Sequence, residues 1–173
     1  MDKSMDEIRQ AEALTDEEEQ VLFGWGKDIF GVATLKLSWR PKDLHFLLYA
    51  DGEPVSHVSV LKHAVSVNGE PTTVGGVGGV VTVPRAQKKG LARRLMQHTA
   101  EFFERDWKVD AGLLFCLPKL TAYYEALGWQ EVESPVLIEQ PGGKIVSPLC
   151  VMALTLVGEG WSFGNIELGS LPW

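Results

Sequence analysis

The sequence predicts an α+β fold of the mixed α/β kind, with a mostly antiparallel sheet, one parallel strand pair and flanking helices. Three observations predict it. Two hairpin turn pairs, Asp51-Gly52 and Asn68-Gly69, separate apolar strands in the first half of the chain. A Gly/Val-rich strand, a basic turn and an amphipathic helix follow one another at 72–107. The apolar run at 111–117 then resembles a strand buried on both faces, so this strand–helix–strand unit provides the parallel pair.

The first predicted elements are a helix and a hairpin. The helix runs from Thr15 to about Lys27, with Thr15 as N-cap and Glu18 in the capping-box position. The strands His45–Ala50 and Pro54–Leu61 flank the first turn. Between helix and hairpin, the bulky apolar segment Phe30–Trp39 is a candidate wall of a substrate site.

The later elements follow from the same patterns of periodicity and turn residues. Two strands flank the second hairpin turn, a long helix follows the basic turn, and a short helix closed by glycine precedes two final strands. In chain order these are His63–Val67, Thr72–Val83, a helix from Gly90 to about Trp107, a strand at Ala111–Leu117, a helix at Leu120–Leu127, and strands at Trp129–Val132 and Val146–Leu156 around the turn Pro141-Gly142-Gly143.

Composition limits the classes of function. The chain has 173 residues, 45% of them hydrophobic and 23% charged, as in a soluble globular protein. A net charge of −7 argues against a nucleic-acid partner and favours a cationic substrate. No apolar run approaches a membrane span or a signal peptide, so we expect no membrane partner and a cytoplasmic location. Cys116 and Cys150 are expected to be buried apolar residues, with no disulfide and no metal site. The choice between monomer and homodimer stays open.

The stretch VVTVPRAQKKGLARRLM, residues 80–96, carries the chemistry. A strand leads into a glycine-containing turn, and a helix begins at once, so its free N–H groups converge on one point. Four cations, Lys88, Lys89, Arg93 and Arg94, lie within one stretch of seven residues, although the chain as a whole is acidic. This combination predicts a polyanionic ligand.

The turn Gln87–Ala92 has the form Q-x-x-G-x-A and resembles the pyrophosphate-binding signature of the GNAT (Gcn5-related) N-acetyltransferases. Pro84 before the turn and the segment AYYEALGW at Ala122–Trp129 extend the resemblance. It implies a single GNAT-like acetyltransferase domain over residues 1–173, with acetyl-CoA as cosubstrate and no metal.

The resemblance also implies roles for individual residues. The end of the Gly-rich strand would pair with the pantetheine arm, the turn would hold the pyrophosphate, and Tyr124 would protonate the departing thiolate. A phenol with a pKa near 10 is a reasonable donor to a thiolate of similar basicity. The implied coenzyme-binding residues are Val81, Thr82, Val83, Gln87, Lys88, Lys89, Gly90, Leu91, Ala92 and Arg93.

A finer resemblance extends over most of the chain and is carried by the order and spacing of LHFLLYADGEPVSHVSVL, the Asn68-Gly69 turn, the Gly-rich strand, ALGWQEVESPVLIEQPGG and Trp173. In these features the sequence resembles the aminoglycoside 2′-N-acetyltransferase branch. Members of that branch tend to carry a carboxylate on the strand before the turn, where this chain has Gly78. Many family members also have an asparagine where this chain has Leu117. A general base is therefore sought in His57, in His63, or in the carboxylate of Trp173.

The predicted function is transfer of an acetyl group from acetyl-CoA to a primary amine by direct attack in a ternary complex. A small cationic acceptor, such as an aminoglycoside or a polyamine, would find aromatic faces at Trp39, Trp161 and Trp173. The alternative is a coenzyme A-binding sensor or partner-binding module that has lost catalysis. Motifs of P-loop NTPases and of Rossmann dehydrogenases are absent from the sequence.

Overall fold

The computed structural model describes residues 6–158 and 164–173, and its ten described strands form one sheet. The strands are β1 Glu7–Ala11, β2 Leu44–Ala50, β3 Glu53–Val67, β4 Glu70–Thr82, β5 Ala111–Cys116, β6 Gln130–Glu131, β7 Val136–Gln140, β8 Gly143–Val146, β9 Cys150–Thr155 and β10 Ile166–Glu167. The helices are α1 Asp16–Phe23, α2 Leu91–Phe102 and α3 Thr121–Ala126. The sheet order is β6-β9-β5-β4-β3-β10-β7-β8, with β2 on β3 and β1 on β2. The predicted mixed fold is confirmed.

Helix α1 begins as the capping box predicts. The Thr15 hydroxyl accepts from the N–H of Glu18 at 3.1 Å, and the Glu18 carboxylate accepts from the N–H of Thr15 at 2.9 Å. The helix ends at Phe23, short of the predicted Lys27, because Gly24 takes the C-cap position.

Both predicted hairpins are present. Asp51-Gly52 joins β2 to β3, Asn68-Gly69 joins β3 to β4, and all four residues have positive φ, as type I′ turns require. The two strands predicted on either side of residue 62 are one strand of 15 residues, β3. Its first half pairs with β2 and its far end with β10, while β4 covers the other edge.

The central strand–helix–strand unit is confirmed. Helix α2 continues into a π-helical turn, Phe103–Trp107. The helix and this turn together fill the span of the predicted helix, from Gly90 to about Trp107. Strands β4 and β5 are parallel, as predicted. A second parallel pairing, between β10 and β7, was not predicted.

The last two predicted strands are present in shortened form, as β6 and β9, but the predicted turn between them is wrong. Pro141-Gly142-Gly143 does not separate the final two strands, because it lies at the tip of a hairpin formed by β7 and β8. Strand β7 escaped prediction because Pro135 and Pro141, residues that usually border loops, flank its five residues. Pro148 divides the predicted strand 146–156, so only β9 remains of its interior.

The sheet buries a core on each of its faces. Neighbouring residues along a strand point to opposite faces, so Val60 and Leu114 join the core under α1 and α2, whereas Leu61 and Leu113 join the other. Residues 166–173 complete that second core with the side chains of Ile166, Leu168 and Trp173, each at most 2% exposed.

Two observations bear on the expectations from composition. Cys116 and Cys150 are free thiols, directly opposite each other on β5 and β9, and Cys116 is buried. Among residues 6–158 and 164–173, no helix is long and apolar enough to cross a membrane.

Candidate active site

Strand β4 loses its parallel partner part-way along its length. It pairs with β5 over Val74–Val77, opposite Ala111–Leu114, and then continues to Thr82 without β5. Within the described residues, the edge of β4 that faces β5 therefore has no strand partner from Gly78 to Thr82. Free backbone N–H and C=O groups along such an edge can pair with an extended ligand as another strand would.

A β-bulge bends β4 at this point. Val81 lies opposite His57 and Gly78 opposite Ser59, so two residues of β4 face a single residue of β3. The first of the two, Gly79, has a φ of +58°, which glycine adopts without steric cost. The imidazole Nδ1 of His57 donates to the Gly79 carbonyl oxygen at 2.6 Å, and the Ser59 hydroxyl donates to the Gly78 carbonyl oxygen at 2.9 Å. These two bonds fix the bulge from the β3 side.

The turn after β4 presents backbone N–H groups beside two cations. Gly90, the N-cap of α2, has a φ of +75°, and no side chain caps the helix. The N–H groups of its first turn therefore remain available to an anion. Lys88 and Arg93 line the adjoining cleft. The Gln87 amide donates to the Thr82 carbonyl oxygen at 3.0 Å and so ties the turn to the end of β4.

The other two predicted cations do not face this cleft. Arg94 forms an ion pair with Asp6, at 2.7 Å between Nη1 and Oδ2. Lys89 is exposed and lies outside the lining of the cleft. Two of the four cations, rather than all four, therefore contribute directly to its charge.

Two cavities meet along the splayed part of the sheet. The turn-side cleft, of 570 Å³, covers the end of β4, the turn and the start of α2. The inner cavity, of 310 Å³, lies between the bulge, the end of β5 and the segment before β2. Val80, Leu120 and Tyr124 line both, so the two spaces adjoin there. Of the predicted coenzyme-binding residues, all but Val83 and Lys89 line the turn-side cleft: Val81, Thr82, Gln87, Lys88, Gly90, Leu91, Ala92 and Arg93.

Tyr124 lies at the junction of the two cavities. Its side chain is 6% exposed, and in the described part of the chain no group hydrogen-bonds its hydroxyl. Burial raises the pKa of Tyr124, so the phenol is protonated at neutral pH and is a weaker acid than a tyrosine in water. Its neighbour Tyr123 is 38% exposed and lines only the turn-side cleft, not the inner cavity.

His57 is buried behind the Gly-rich strand. Because its Nδ1 donates to a carbonyl, its Nε2 must accept, and it accepts from Nδ1 of His45 at 2.9 Å. Burial lowers the pKa of His57 to about 4, so the ring is neutral at pH 7. His57 is 1% exposed and lines neither cavity, so the geometry does not support direct proton transfer from an acceptor.

His63 and Arg40 hold the C-terminal segment. The His63 Nε2 donates to the Leu168 carbonyl oxygen at 2.8 Å, and its Nδ1 accepts from the Arg40 guanidinium at 3.1 Å. The backbone N–H of Arg40 in turn donates to the Pro172 carbonyl oxygen at 2.8 Å. These contacts give His63 a structural role, and it lines neither cavity.

Trp173 is brought to the inner cavity by this segment. Its indole Nε1 donates to the Leu113 carbonyl oxygen at 3.1 Å. The ring covers the backbone of Gly76, where an added Cβ would lie only 2.5 Å from the indole. A larger residue at Gly76 would therefore displace Trp173 from the cavity wall.

Lys42 is a site residue that the sequence did not indicate. A Cβ added at Gly78, the position where a carboxylate was expected, would lie 2.6 Å from Lys42 Cε and 3.1 Å from the main-chain carboxyl carbon of Trp173. The glycine therefore leaves space that these two residues occupy. Nothing in the local pattern around Lys42 distinguishes it from any other surface lysine.

The remaining predictions for this region have mixed outcomes. Phe30, Val32 and Trp39, all from the segment predicted as a wall, line the inner cavity, and so does Leu117. Trp161 lies outside the described residues. Among the described residues, no group of three or more His, Cys, Asp or Glu side chains could hold a metal ion.

Comparisons with known proteins agree with this geometry. The profile of the family described as "Acetyltransferase (GNAT) domain" matches residues 11–132. Among curated proteins, none gives a significant match.

Several solved structures share the fold. A GNAT family N-acetyltransferase from Escherichia coli in complex with CoA is 15% identical, with a TM-score of 0.62 over 97% of this chain and 92% of that chain. A GNAT family acetyltransferase from Brucella melitensis in complex with acetyl-CoA is 14% identical, with a TM-score of 0.55 over 92% and 94%. The ribosomal-protein-S18-alanine N-acetyltransferase from Escherichia coli is 20% identical, with a TM-score of 0.55 over 92% and 100%. At these identities the similarity concerns the fold alone.

Proposed function

Because this chain belongs to the GNAT acetyltransferase family, we propose that it transfers the acetyl group of acetyl-CoA to a primary amine, with residues 1–173 acting as one domain. The observation that carries this proposal is the junction of the turn-side cleft with the inner cavity at Tyr124. One space suits an extended polyanionic donor and the other a small acceptor. Their junction is where an acyl group could pass between them.

The turn-side cleft fits coenzyme A in three respects. The unpaired edge of β4 offers backbone groups to an extended, amide-containing arm such as pantetheine. The uncapped start of α2 offers N–H groups to a pyrophosphate, and Lys88 and Arg93 add positive charge. Coenzyme A supplies the acetyl thioester, and the protein binds and orients it.

The transfer itself needs little more than orientation and two proton movements. The neutral acceptor amine attacks the thioester carbonyl, and the carbonyl oxygen gains negative charge. We assign the stabilisation of this charge to a hydrogen bond from a backbone N–H near Val81 at the bulge. The C–S bond breaks, and Tyr124 donates its proton to the departing thiolate. The amine proton leaves to a base or to water.

Of the predicted proton acceptors, Trp173 is better placed than His57. The main-chain carboxyl carbon of Trp173 lies 3.1 Å from the position of a Gly78 Cβ, at the wall of the inner cavity. We propose that His57 instead acts as a positioning residue, because its bond to the Gly79 carbonyl oxygen holds the bulge in place.

A cationic acceptor of the aminoglycoside or polyamine type is the second candidate. It is supported by the net charge of −7, by the resemblance to the aminoglycoside 2′-N-acetyltransferase branch, and by the rings of Trp39 and Trp173 on the cavity wall. Against it, the charged side chain that lines the inner cavity is that of Lys42, a cation.

The alternative function, a coenzyme A-binding sensor without catalysis, predicts the same binding but no turnover. Calorimetric titration with acetyl-CoA, followed by thiol-release assays with aminoglycosides, polyamines, amino acids and peptides, separates the two. Binding with thiol release and an acetylated amine supports the enzyme, and binding without release of thiol from any amine supports the sensor. Absence of binding contradicts both.

Gly90→Glu tests the proposed binding site directly. The carboxylate would oppose the phosphates, and the positive φ would strain the backbone, so we expect acetyl-CoA affinity to fall on the order of 100-fold. Gly69→Glu is matched to it, because Gly69 also has positive φ and open space around it but lies in a distant hairpin turn. Equal affinity in both folded variants would contradict the proposed site.

Homodimerisation is supported by one feature. Strand β8 is an edge strand whose Ile145 and Val146 are 40% and 57% exposed, and such an edge can pair with a second copy. Light scattering at several concentrations measures the mass, and Ile145→Lys should leave only monomer if this edge forms the contact.

A further inference from the structure

The inner cavity contains a cation that the proposed transfer does not use. Among the described residues that line this cavity, Lys42 carries the only charged side chain, and most of the others are apolar. Lys42 is half-buried, and no described residue forms a hydrogen bond or an ion pair with its ammonium group. Burial lowers the pKa of Lys42, which reflects the cost of removing the charge from water without a partner.

The ammonium group lies beside the bulge of β4. A Cβ built at Gly78 would lie 3.2 Å from Lys42 Nζ. The chain is fixed on both sides of Lys42, because the N–H of Arg40 donates to the Pro172 carbonyl oxygen and the N–H of Asp43 donates to the Val60 carbonyl oxygen at 2.9 Å. A lysine whose backbone is fixed in this way is suited to orient a ligand.

The charged and titratable groups around Lys42 do not satisfy it. Burial and the nearby Lys42 charge both lower the pKa of His45, and the same two causes act on His57. Both rings therefore favour their neutral form, which offers Lys42 no negative charge. The Trp173 carboxyl group lies near the same Cβ position but forms no ion pair with Lys42 in the described part of the chain. Since no described residue pairs with this ammonium group, a ligand anion would remove part of the electrostatic cost of burying it.

We propose that Lys42 binds a carboxylate of the acceptor, so that the acceptor is a small amino acid with an apolar side chain. This inference rests on the proposed function of the same cavity. The ammonium group of Lys42 would hold the carboxylate, the apolar walls formed by Phe30, Val32 and Leu149 would bury the side chain, and the amine would point to the junction at Tyr124.

The size of the cavity supports an acceptor of this class. A volume of 310 Å³ is at the lower end of the range for small-molecule sites, about 300–1,000 Å³. One amino acid fits such a space, whereas most of a sugar with several rings would remain outside it. The cation also repels a second positive charge on the acceptor, which disfavours polyamines.

The test compares amino acids with the amines that lack their carboxylate. Calorimetry in the presence of CoA measures binding of alanine, valine, leucine and phenylalanine, and of ethylamine, isobutylamine, isoamylamine and phenethylamine. We expect at least one amino acid to bind about 10- to 100-fold more tightly than its amine, since a hydrogen bond to a charged group supplies a difference of this size. Lys42→Met should remove the preference, Lys42→Arg should keep part of it, and the exposed Lys27→Met should match the wild type.

The same panel in the thiol-release assay separates this proposal from the proposed function. Loss of all turnover with the binding preference intact would contradict the enzyme but not the carboxylate site. The carboxylate site is overturned if no amino acid binds better than its amine, or if Lys42→Met leaves the preference unchanged. It is also overturned if Lys42→Met and Lys42→Arg lower turnover of every amine equally without changing binding, because Lys42 would then act on protons.

Discussion

The turn-side cleft and the inner cavity are built in different ways, although they share a wall. The cleft takes most of its lining from one continuous stretch, residues 80–93, and offers mainly backbone groups and exposed cations. The inner cavity collects Phe30, Lys42, Phe115, Leu149 and Trp173 from five separate parts of the chain and is mostly apolar. The turn-side cleft is thus built mainly from a local motif, whereas the inner cavity depends on how the whole sheet is assembled.

Among the substitutions that test this comparison, we expect the largest effect on turnover at Tyr124, because Tyr124 lines both cavities. Tyr124→Phe removes the proposed proton donor and should lower kcat by about 10²- to 10⁴-fold. The KM for acetyl-CoA should change little, since the ring stays in place. Steady-state kinetics with both substrates varied provide the measurement.

Tyr123→Phe is the matched control for this change. Tyr123 is its direct neighbour on α3 but lines only the cleft, so its kcat should stay near that of the wild type. If Tyr124→Phe turned over as fast as the wild type, Tyr124 would have no part in proton transfer.

His57 tests whether the wall between the two spaces depends on a neutral imidazole. Its pKa is about 4 in the folded chain, below the value of about 6.5 expected when unfolded, so its contribution is complete above pH 6.5 and is lost as the pH falls toward 4. Since the ring is 1% exposed, the difference amounts to about 3 kcal/mol in the free energy of unfolding.

Urea denaturation of the wild type and His57→Asn at pH 7 and pH 4.5 measures this effect. The wild type should be the more stable at pH 7, and its advantage should shrink at pH 4.5. His45, Lys42 and Glu18 also act on this ring, so His45→Asn serves as a control for the neighbouring histidine. An advantage that is independent of pH would contradict the assignment of a buried neutral His57.

The cations of the turn provide the smallest effect and sharpen the definition of the cleft. Lys88→Gln with Arg93→Gln should raise the KM for acetyl-CoA by about 10-fold at low salt, since exposed ion pairs each contribute up to about 1 kcal/mol. The effect should diminish in high salt.

Lys89→Gln is the control, because Lys89 lies in the same turn but does not line the cleft. Its KM should stay within about twofold of the wild-type value. If Lys89→Gln weakened binding as much as the double variant, the charge of the turn as a whole would matter rather than its geometry.

The same difference explains what the sequence could predict. The turn Gln87–Ala92 and the helix that carries Tyr124 are local, so short-range spacing was sufficient to identify them. Lys42 reaches Gly78 only because β2, β3 and β4 pair in sequence, and no local pattern contains that distance. Trp173 reaches the cavity through β10, a strand of two residues whose pairing depends on its neighbours rather than on its own composition.

The glycines of β4 illustrate the same limit. Their density predicted a strand without polar side chains, and Gly78 was identified as the missing base position. What the sequence could not predict is that Gly76 makes room for the Trp173 indole and Gly78 for Lys42. When a residue must be small because a distant side chain packs against it, the reason can be predicted only once both residues have been placed in the fold.

The central claim is that acetyl-CoA binds along the free edge of β4 and at the start of α2. Hydrogen exchange followed by mass spectrometry, with and without acetyl-CoA, tests it most directly. Amides at residues 78–82 and 90–93 should become protected on binding, whereas those of β10 and of the β7–β8 hairpin should not change. Binding of acetyl-CoA without protection of these two segments, or with protection confined to other parts of the sheet, would contradict the claim.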